Sequence, residues 1–306
     1  MFGMTMLHKK QSMILIFILI IINMLVTPIF IVSAKQYKKN DSIEEYAVSN
    51  DIIRFEETIV LNIPPEYGME LPEGSYYKVN VYGVDVGEGI ILVDCGDEDQ
   101  AKELYKSVKK AFKKPILAVY LTHGHVDHAG AGSYFQRKGV PVYSYSYEVP
   151  LIQAGAYDPS YPAPDQFTYE GYTPDFMYEY AEEAEGFTIE YTPGHTMGSV
   201  SIRYDSECGS YLFTGDSIFE APSMDPLDYS FTLSWYTAYQ IWEFSNMPGY
   251  PDFIGTWQLS VSYLGMIAPS VDTVCPGHGA EYPSAYAASY LDATSMILAA
   301  LPYPPV

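Results

Sequence analysis

Five of the six histidines in this 306-residue chain fall in three short motifs: His123-Gly-His125-Val-Asp127-His128, Pro193-Gly-His195-Thr and Pro276-Gly-His278-Gly. The sixth, His8, precedes an apolar N-terminal stretch. Neutral imidazole is the commonest side-chain metal ligand, and interleaved carboxylates widen the preference to hard or borderline divalent ions. His123 and His125, two apart in an extended turn, can point to one side, with Asp127 and His128 in reach of a neighbouring point. Gly215-Asp216 lies between the two Pro-Gly-His motifs. Such a set can activate a water and polarise the group it attacks.

Rigid elements must hold these loops, and the sequence supplies them. Each motif follows an apolar strand: Pro115–Leu121 before His123, Phe187–Tyr191 before His195, Tyr211–Phe213 before Asp216 and Ser270–Val274 before His278. Loops at strand ends are where scaffolds present chemistry. Further strands are expected at Arg54–Ile63, Val140–Ser144 and Ser199–Tyr204, with a hairpin of Tyr77–Asp85 and Gly89–Val93 about Gly87-Glu88. Asp97-Glu98-Asp99 opens a helix whose apolar stripe is Leu104, Val108, Ala111 and Phe112, and Ser284–Leu301 closes the chain as another. Gly155–Gly186 lacks sustained periodicity, and Ala221–Pro269 reads as an aromatic, partly helical insertion. Strands come first, then strands and helices recur. That order predicts a single α/β domain over residues 76–306, two packed sheets with helices outside, after a polar lead-in at 35–75.

Residues 1–34 read as a signal peptide or an N-terminal membrane anchor. Lys9 and Lys10 precede the apolar Met13–Val26, and Val32-Ser33-Ala34 offers small residues for cleavage. Residues 13–32 are also long enough to span a bilayer. Either way the expectation is an extracytoplasmic protein, secreted or anchored. Beyond residue 34 the chain carries 14 Lys+Arg against 38 Asp+Glu, a formal charge of −24. After Lys138 the one basic side chain is Arg203. Such a surface repels phosphate backbones and excludes nucleic acid as a partner. Three cysteines, Cys95, Cys208 and Cys275, make no disulfide framework and show no zinc-finger spacing.

Taken together, the three histidine motifs, Gly215-Asp216 and the turn Val93-Asp94-Cys95-Gly96 resemble the metallo-β-lactamase-fold hydrolases from about Tyr77 to Ala280. The resemblance implies a four-layer αββα sandwich, here with two aromatic-rich insertions. It implies that His123, His125 and His195 hold one divalent ion, that Asp127, His128 and His278 hold a second, and that Asp216 bridges them. This ligand set is that of glyoxalase-II-like and lactonase-like members. Zinc is the expected ion, with iron or manganese as alternatives. Asp94 is expected to orient the histidine loop rather than to bind metal.

With no histidine to spare, proton handling falls to metal-bound solvent, Asp127 or a tyrosine. The expected reaction is hydrolysis of an ester, lactone, thioester or amide by a metal-held hydroxide. Asp216, and the lack of Lys or Arg near the later motifs, argue against a β-lactamase. A neutral or weakly charged small substrate suits walls built from Tyr157, Tyr161, Tyr169, Tyr172, Tyr178 and Tyr180 on one side, and from Trp235, Tyr236, Tyr239, Trp242 and Trp257 on the other. The alternatives are a mononuclear iron enzyme like the persulfide dioxygenases and a metal-binding surface protein without catalysis.

Overall fold

A computed structural model describes residues 36–40, 43–62, 71–155, 167–178, 183–184, 186–245 and 252–301. Two sheets face each other. The first has eight strands in chain order: β1 (Gln36–Asn40), β2 (Ile43–Ala47), β3 (Ile52–Val60), β4 (Tyr76–Asp85), β5 (Ile90–Val93), β6 (Ile116–Tyr120), β7 (Val142–Tyr145) and β8 (Phe176–Tyr178). The second has six: β9 (Glu183–Ala184), β10 (Phe187–Tyr191), β11 (Val200–Ser206), β12 (Gly209–Gly215), β13 (Thr273–Pro276) and β14 (Tyr282–Pro283). The long helices are α1 (Ala101–Phe112), α5 (Ser230–Ser245), α6 (Phe253–Ile267) and α7 (Ala287–Ala300). Of three short helices, α2 (Val126–Ala129) carries Asp127 and His128 of the first histidine motif, and α3 (Gly132–Arg137) and α4 (Val149–Gln153) follow it.

The strand period of two creates the layers. In the first sheet Val81, Leu92 and Val119 turn outward onto Leu104 and Val108 of α1 and Phe135 of α3. Their neighbours Tyr82, Val84, Ile91, Val93 and Tyr120 turn inward and meet Phe187, Ile189, Ile202 and Phe213 of the second sheet. Leu212 and Val274 face the other way, into a core with Trp257 and Leu264 of α6 and Leu291 and Ile297 of α7. Helix, sheet, sheet, helix is the αββα sandwich.

Direction of travel places the chemistry. β5, β6, β7 and β8 are parallel, as are β12 and β13, and β10 shares the direction of β12 because both pair antiparallel with β11. The motif residues therefore leave the carboxyl ends of β6, β10, β12 and β13, the end at which open α/β sheets present their sites.

Residues read as an irregular lead-in with one strand prove to be sheet. Ile43–Ala47 and Ile52–Val60 form β2 and β3, which pair with each other, and β3 pairs with β4 from Ile52↔Val84 to Val60↔Tyr76. Arg54, Glu56 and Glu57 are buried there and break the apolar alternation that the eye seeks. The proposed leader or anchor, residues 1–34, lies outside the described residues. Among the described residues no helix is long and apolar enough to cross a membrane.

Candidate metal centre

All seven expected ligands converge at the carboxyl ends of β6, β10, β12 and β13. One group is His123, His125, His195 and Asp216, the other Asp127, His128 and His278, and within each the ligand atoms lie within 4.8 Å of one another. His125 Nδ1 stands 3.2 Å from His123 Nε2 and 2.9 Å from His195 Nε2. Ligands placed about 2.0–2.1 Å from a tetrahedral zinc ion are separated by about 3.3 Å, so these nitrogens already trace a coordination face. Asp216 sits between the groups. Its Oδ2 is 3.3 Å from His195 Nε2 and 3.2 Å from His278 Nε2, while Oδ1 is 3.1 Å from His128 Nε2. Asp127 Oδ2 lies 3.6 Å from His278 Nε2 and 3.7 Å from His128 Nε2.

The residues fit a divalent ion by a further criterion. His128 Nε2 and Asp216 Oδ1 are buried and make no hydrogen bond, although buried polar atoms are nearly always paired. An ion between them would satisfy both.

For His123, His128 and His278 the outer nitrogen fixes which atom the ring offers. His128 Nδ1 meets Asp94 Oδ2 at 2.8 Å, and Asp94 also accepts from the Thr122 N–H at 2.7 Å and from the Thr122 hydroxyl. Thr122 Oγ1 in turn meets His123 Nδ1 at 3.1 Å. Asp94 adopts a left-handed φ of 63°, which Asp tolerates better than most residues and which turns its carboxylate under the loop. His278 Nδ1 donates to the carbonyl of Lys78 on β4. Asn80 and Arg54 grip the same loop from below: Asn80 Nδ2 donates to Pro276 O at 3.0 Å and Gly279 O at 2.6 Å, and Arg54 Nη1 donates to Gly279 O at 3.0 Å. Arg54 also pairs with Glu281 at 2.8 Å.

Charge is distributed unevenly between the groups. Burial and the neighbouring rings push His123 and His125 well below the ordinary imidazole pKa. Burial disfavours charge on His278 too, but Asp216, Glu220 and Asp127 outweigh it and raise the pKa to about 10. His128 is likewise held well above its usual value, burial being overcome by Asp216, Asp127 and Asp94. In the metal-free protein at pH 7.5 these two rings therefore carry protons that an incoming cation must displace. Zinc added to weakly buffered protein is expected to release about two protons as the second group fills, and affinity falls as pH falls. Zinc uptake with no acidification of an indicator dye would contradict this.

Asp97 gives a separate pH signature. Burial, with the charges of Asp99, Asp127 and Glu98 added, lifts its pKa from 3.8 to about 6, against the pull of the Asp99 N–H. A raised acid penalises the folded state once ionised, so the penalty sets in between pH 4 and 6 and is full above. Asp97→Asn keeps the cap on the Asp99 N–H. It is expected to stabilise the metal-free protein by about 1–3 kcal/mol at pH 8, a gain that shrinks towards zero by pH 4. Thermal unfolding at the two pH values measures it.

The aromatic residues behave differently from the walls expected of them. Tyr169 donates to Gly124 O at 2.8 Å, Tyr172 to Ala129 O at 2.8 Å and Tyr178 to Leu121 O, so all three tie down carbonyls in or beside the histidine loop. Trp257 is 1% exposed, sets its ring edge-on to His195 with centroids 5.2 Å apart, and donates to Ser217 O at 2.9 Å. Tyr239 packs into the core beneath α6 and α7. Tyr157, Tyr161 and Tyr180, and the side chains of Trp235, Tyr236 and Trp242, lie outside the described residues. A small recess with room for little more than a water molecule lies beside the ligands, lined by His195, Asp216 and His278 and by Ile218, Phe219, Ser234 and Trp257. Ser234 reaches both oxygens of buried Glu220 at 3.1 Å.

Sequence reading passed over Glu148. It is 1% exposed, and its two oxygens accept the N–H groups of Gly124 at 2.6 Å and Gly198 at 2.7 Å. Nothing in its surroundings, Ser146-Tyr-Glu-Val, marked it out.

A family model described as the metallo-beta-lactamase superfamily matches residues 76–278, about two thirds of the chain. The chain belongs to that superfamily. It is 27% identical over 190 residues to a probable metallo-hydrolase of Streptococcus pyogenes, spanning 57% of this chain and 74% of that one. It is 26% identical over 155 residues to an N-acyl homoserine lactonase of Bacillus cereus, spanning 49% and 57%. A metallo-beta-lactamase from Pontibacter korlensis superposes with a TM-score of 0.58 at 19% identity, covering 84% of this chain and 99% of that one. At that identity the likeness is one of fold. Superfamily membership and the relatives together make this chain a metallo-hydrolase.

Proposed function

We propose that this metallo-hydrolase works with two divalent ions, zinc in the first instance, and cleaves an ester, lactone, thioester or amide bond of a small neutral substrate. One observation carries the reading: Asp216 lies between two complete ligand groups, with an oxygen within 3.3 Å of a nitrogen from each. His123, His125 and His195 would hold one ion, and Asp127, His128 and His278 the other. Such a pair lowers the pKa of a shared water and polarises a carbonyl. The chain's own residues orient and exclude. Ile218, Phe219 and Trp257 pack apolar side chains behind the ligands, with no Lys or Arg among the described residues lining that recess. That favours an uncharged acyl group and supports the lactonase or esterase direction over β-lactam hydrolysis.

Asp127 is assigned the handling of the proton at the reacting centre. Asp127→Ala is expected to lower turnover by about 100-fold or more even at saturating zinc. Full metal content with full turnover would remove Asp127 from that role. Residues 1–34 support export, by cleavage or by anchoring through 13–32, and N-terminal sequencing of protein recovered outside the cytoplasm distinguishes the two. The test of the whole reading is metal content followed by a panel of lactones and esters. About two zinc per chain with turnover supports it, and one tightly held iron replaces it with oxygen chemistry of the persulfide-dioxygenase kind.

A further inference from the structure

We propose that the three-histidine half of the metal centre has a brace that the other half does not share, and that Glu148 is its positioning residue. The inference rests on the two-ion reading above and deepens it.

Glu148 ends the turn Ser146–Glu148 that follows β7, on the first sheet's side of the molecule. Its oxygens do not serve one loop. Oε2 accepts from Gly124, the residue between His123 and His125, after β6 of the first sheet. Oε1 accepts from Gly198, three residues beyond His195, in the connection between β10 and β11 of the second. A single side chain thus spans the sheets and sets how far His195 stands from the His123–His125 pair. The fit is close. A Cβ on Gly198 would come within 2.7 Å of Glu148 Cγ, and one on Gly124 within 3.0 Å of Oε2. Hydrogen bonds from N–H groups to a buried carboxylate are short and strong, and they hold backbone to backbone.

The other half draws on different elements. His128 is oriented by Asp94 after β5, and His278 by the Lys78 carbonyl of β4, with Asn80 and Arg54 under its loop. Asp94 also reaches Thr122 and, through it, His123. Loss of Glu148 should therefore unseat one half, whereas loss of Asp94 should disturb both.

Glu148→Gln separates these. The amide keeps the size of the side chain but turns an NH2 against one of the two backbone N–H groups. Zinc titration against a chromophoric chelator is expected to show two ions in the unmodified protein. In Glu148→Gln one ion keeps its affinity and the other weakens by about 10-fold or more. Ring-nitrogen NMR should place the loss at His123, His125 and His195, with His128 and His278 still shifted by metal. Asp94→Asn, whose new residue tolerates the same left-handed backbone, should weaken both ions. Circular dichroism and thermal unfolding of the metal-free variants report folding separately. If Glu148→Gln does not fold, Glu148→Asp, too short to reach both N–H groups, is expected to show the same selective loss. Equal weakening of both ions, or of neither, overturns the inference. An unmodified protein that takes up no zinc overturns the two-ion reading itself.

Discussion

Asp216→Asn is expected to cost the protein at least one of its two ions and to lower hydrolysis by at least about 100-fold. The side chain is the one group that both halves share, at 3.1 Å from His128, 3.2 Å from His278 and 3.3 Å from His195. An amide of the same shape offers one oxygen and one NH2, and the NH2 cannot ligate a cation. The carboxylate also does electrostatic work before any ion arrives. Four histidines hold it well below its usual pKa, although burial alone would raise it. In return it is the largest of the charges sustaining the proton on His278, at about 10. The substitution therefore carries a second, metal-free readout: the His278 ring should titrate at markedly lower pH by NMR. An Asp216→Asn protein with two zinc ions and an unmoved His278 titration would show that this carboxylate is not the hinge of the site.

Much of this site was legible because its chemistry is concentrated in few residue types. A chain that places five of six histidines in three motifs, each after an apolar strand, leaves little freedom about where they meet. The strand at Phe187–Tyr191 lies where the alternation puts it, and the αββα layering follows from period-two strands that are apolar on both faces. What escaped is the support. Arg54, Glu57 and Glu148 look like surface charges in sequence and are buried in the fold. Their meaning depends on a backbone N–H or carbonyl brought from far along the chain, such as Gly279 O for Arg54 at a separation of 225 residues. In sequence Tyr169, Tyr172 and Tyr178 look like rings facing a substrate, yet it is their hydroxyls that matter, each finding a carbonyl in or beside the histidine loop. A side chain that satisfies a backbone atom leaves no periodic trace, whereas one that binds a metal tends to recur with its fellow ligands. Sequence shows the ligands and hides their scaffold.

Gly277→Ala should have an effect out of proportion to one methyl group. A Cβ built there falls 2.4 Å from Asp216 Oδ1, 2.8 Å from His128 Cε1 and 3.0 Å from the Gly215 carbonyl carbon. Contacts that short are not tolerated, so something must move. The loop itself is pinned, with Gly277 N–H donating to Gly215 O at 2.9 Å and its carbonyl accepting from Asn80 N–H at 2.8 Å. The strain therefore falls on the two ligand side chains, Asp216 and His128, whose 3.1 Å approach the methyl would disturb. The expected result is loss of the ion held by Asp127, His128 and His278, and a fall in turnover of at least about 10–100-fold. The metal-free fold should lose only about 1–3 kcal/mol, the ordinary cost of overpacking. Thermal unfolding in chelator and zinc titration separate the two effects. A variant that unfolds outright would place the methyl's cost in the loop rather than in the ligands, and one with both ions and full turnover would mean that the loop does not approach Asp216 and His128 this closely.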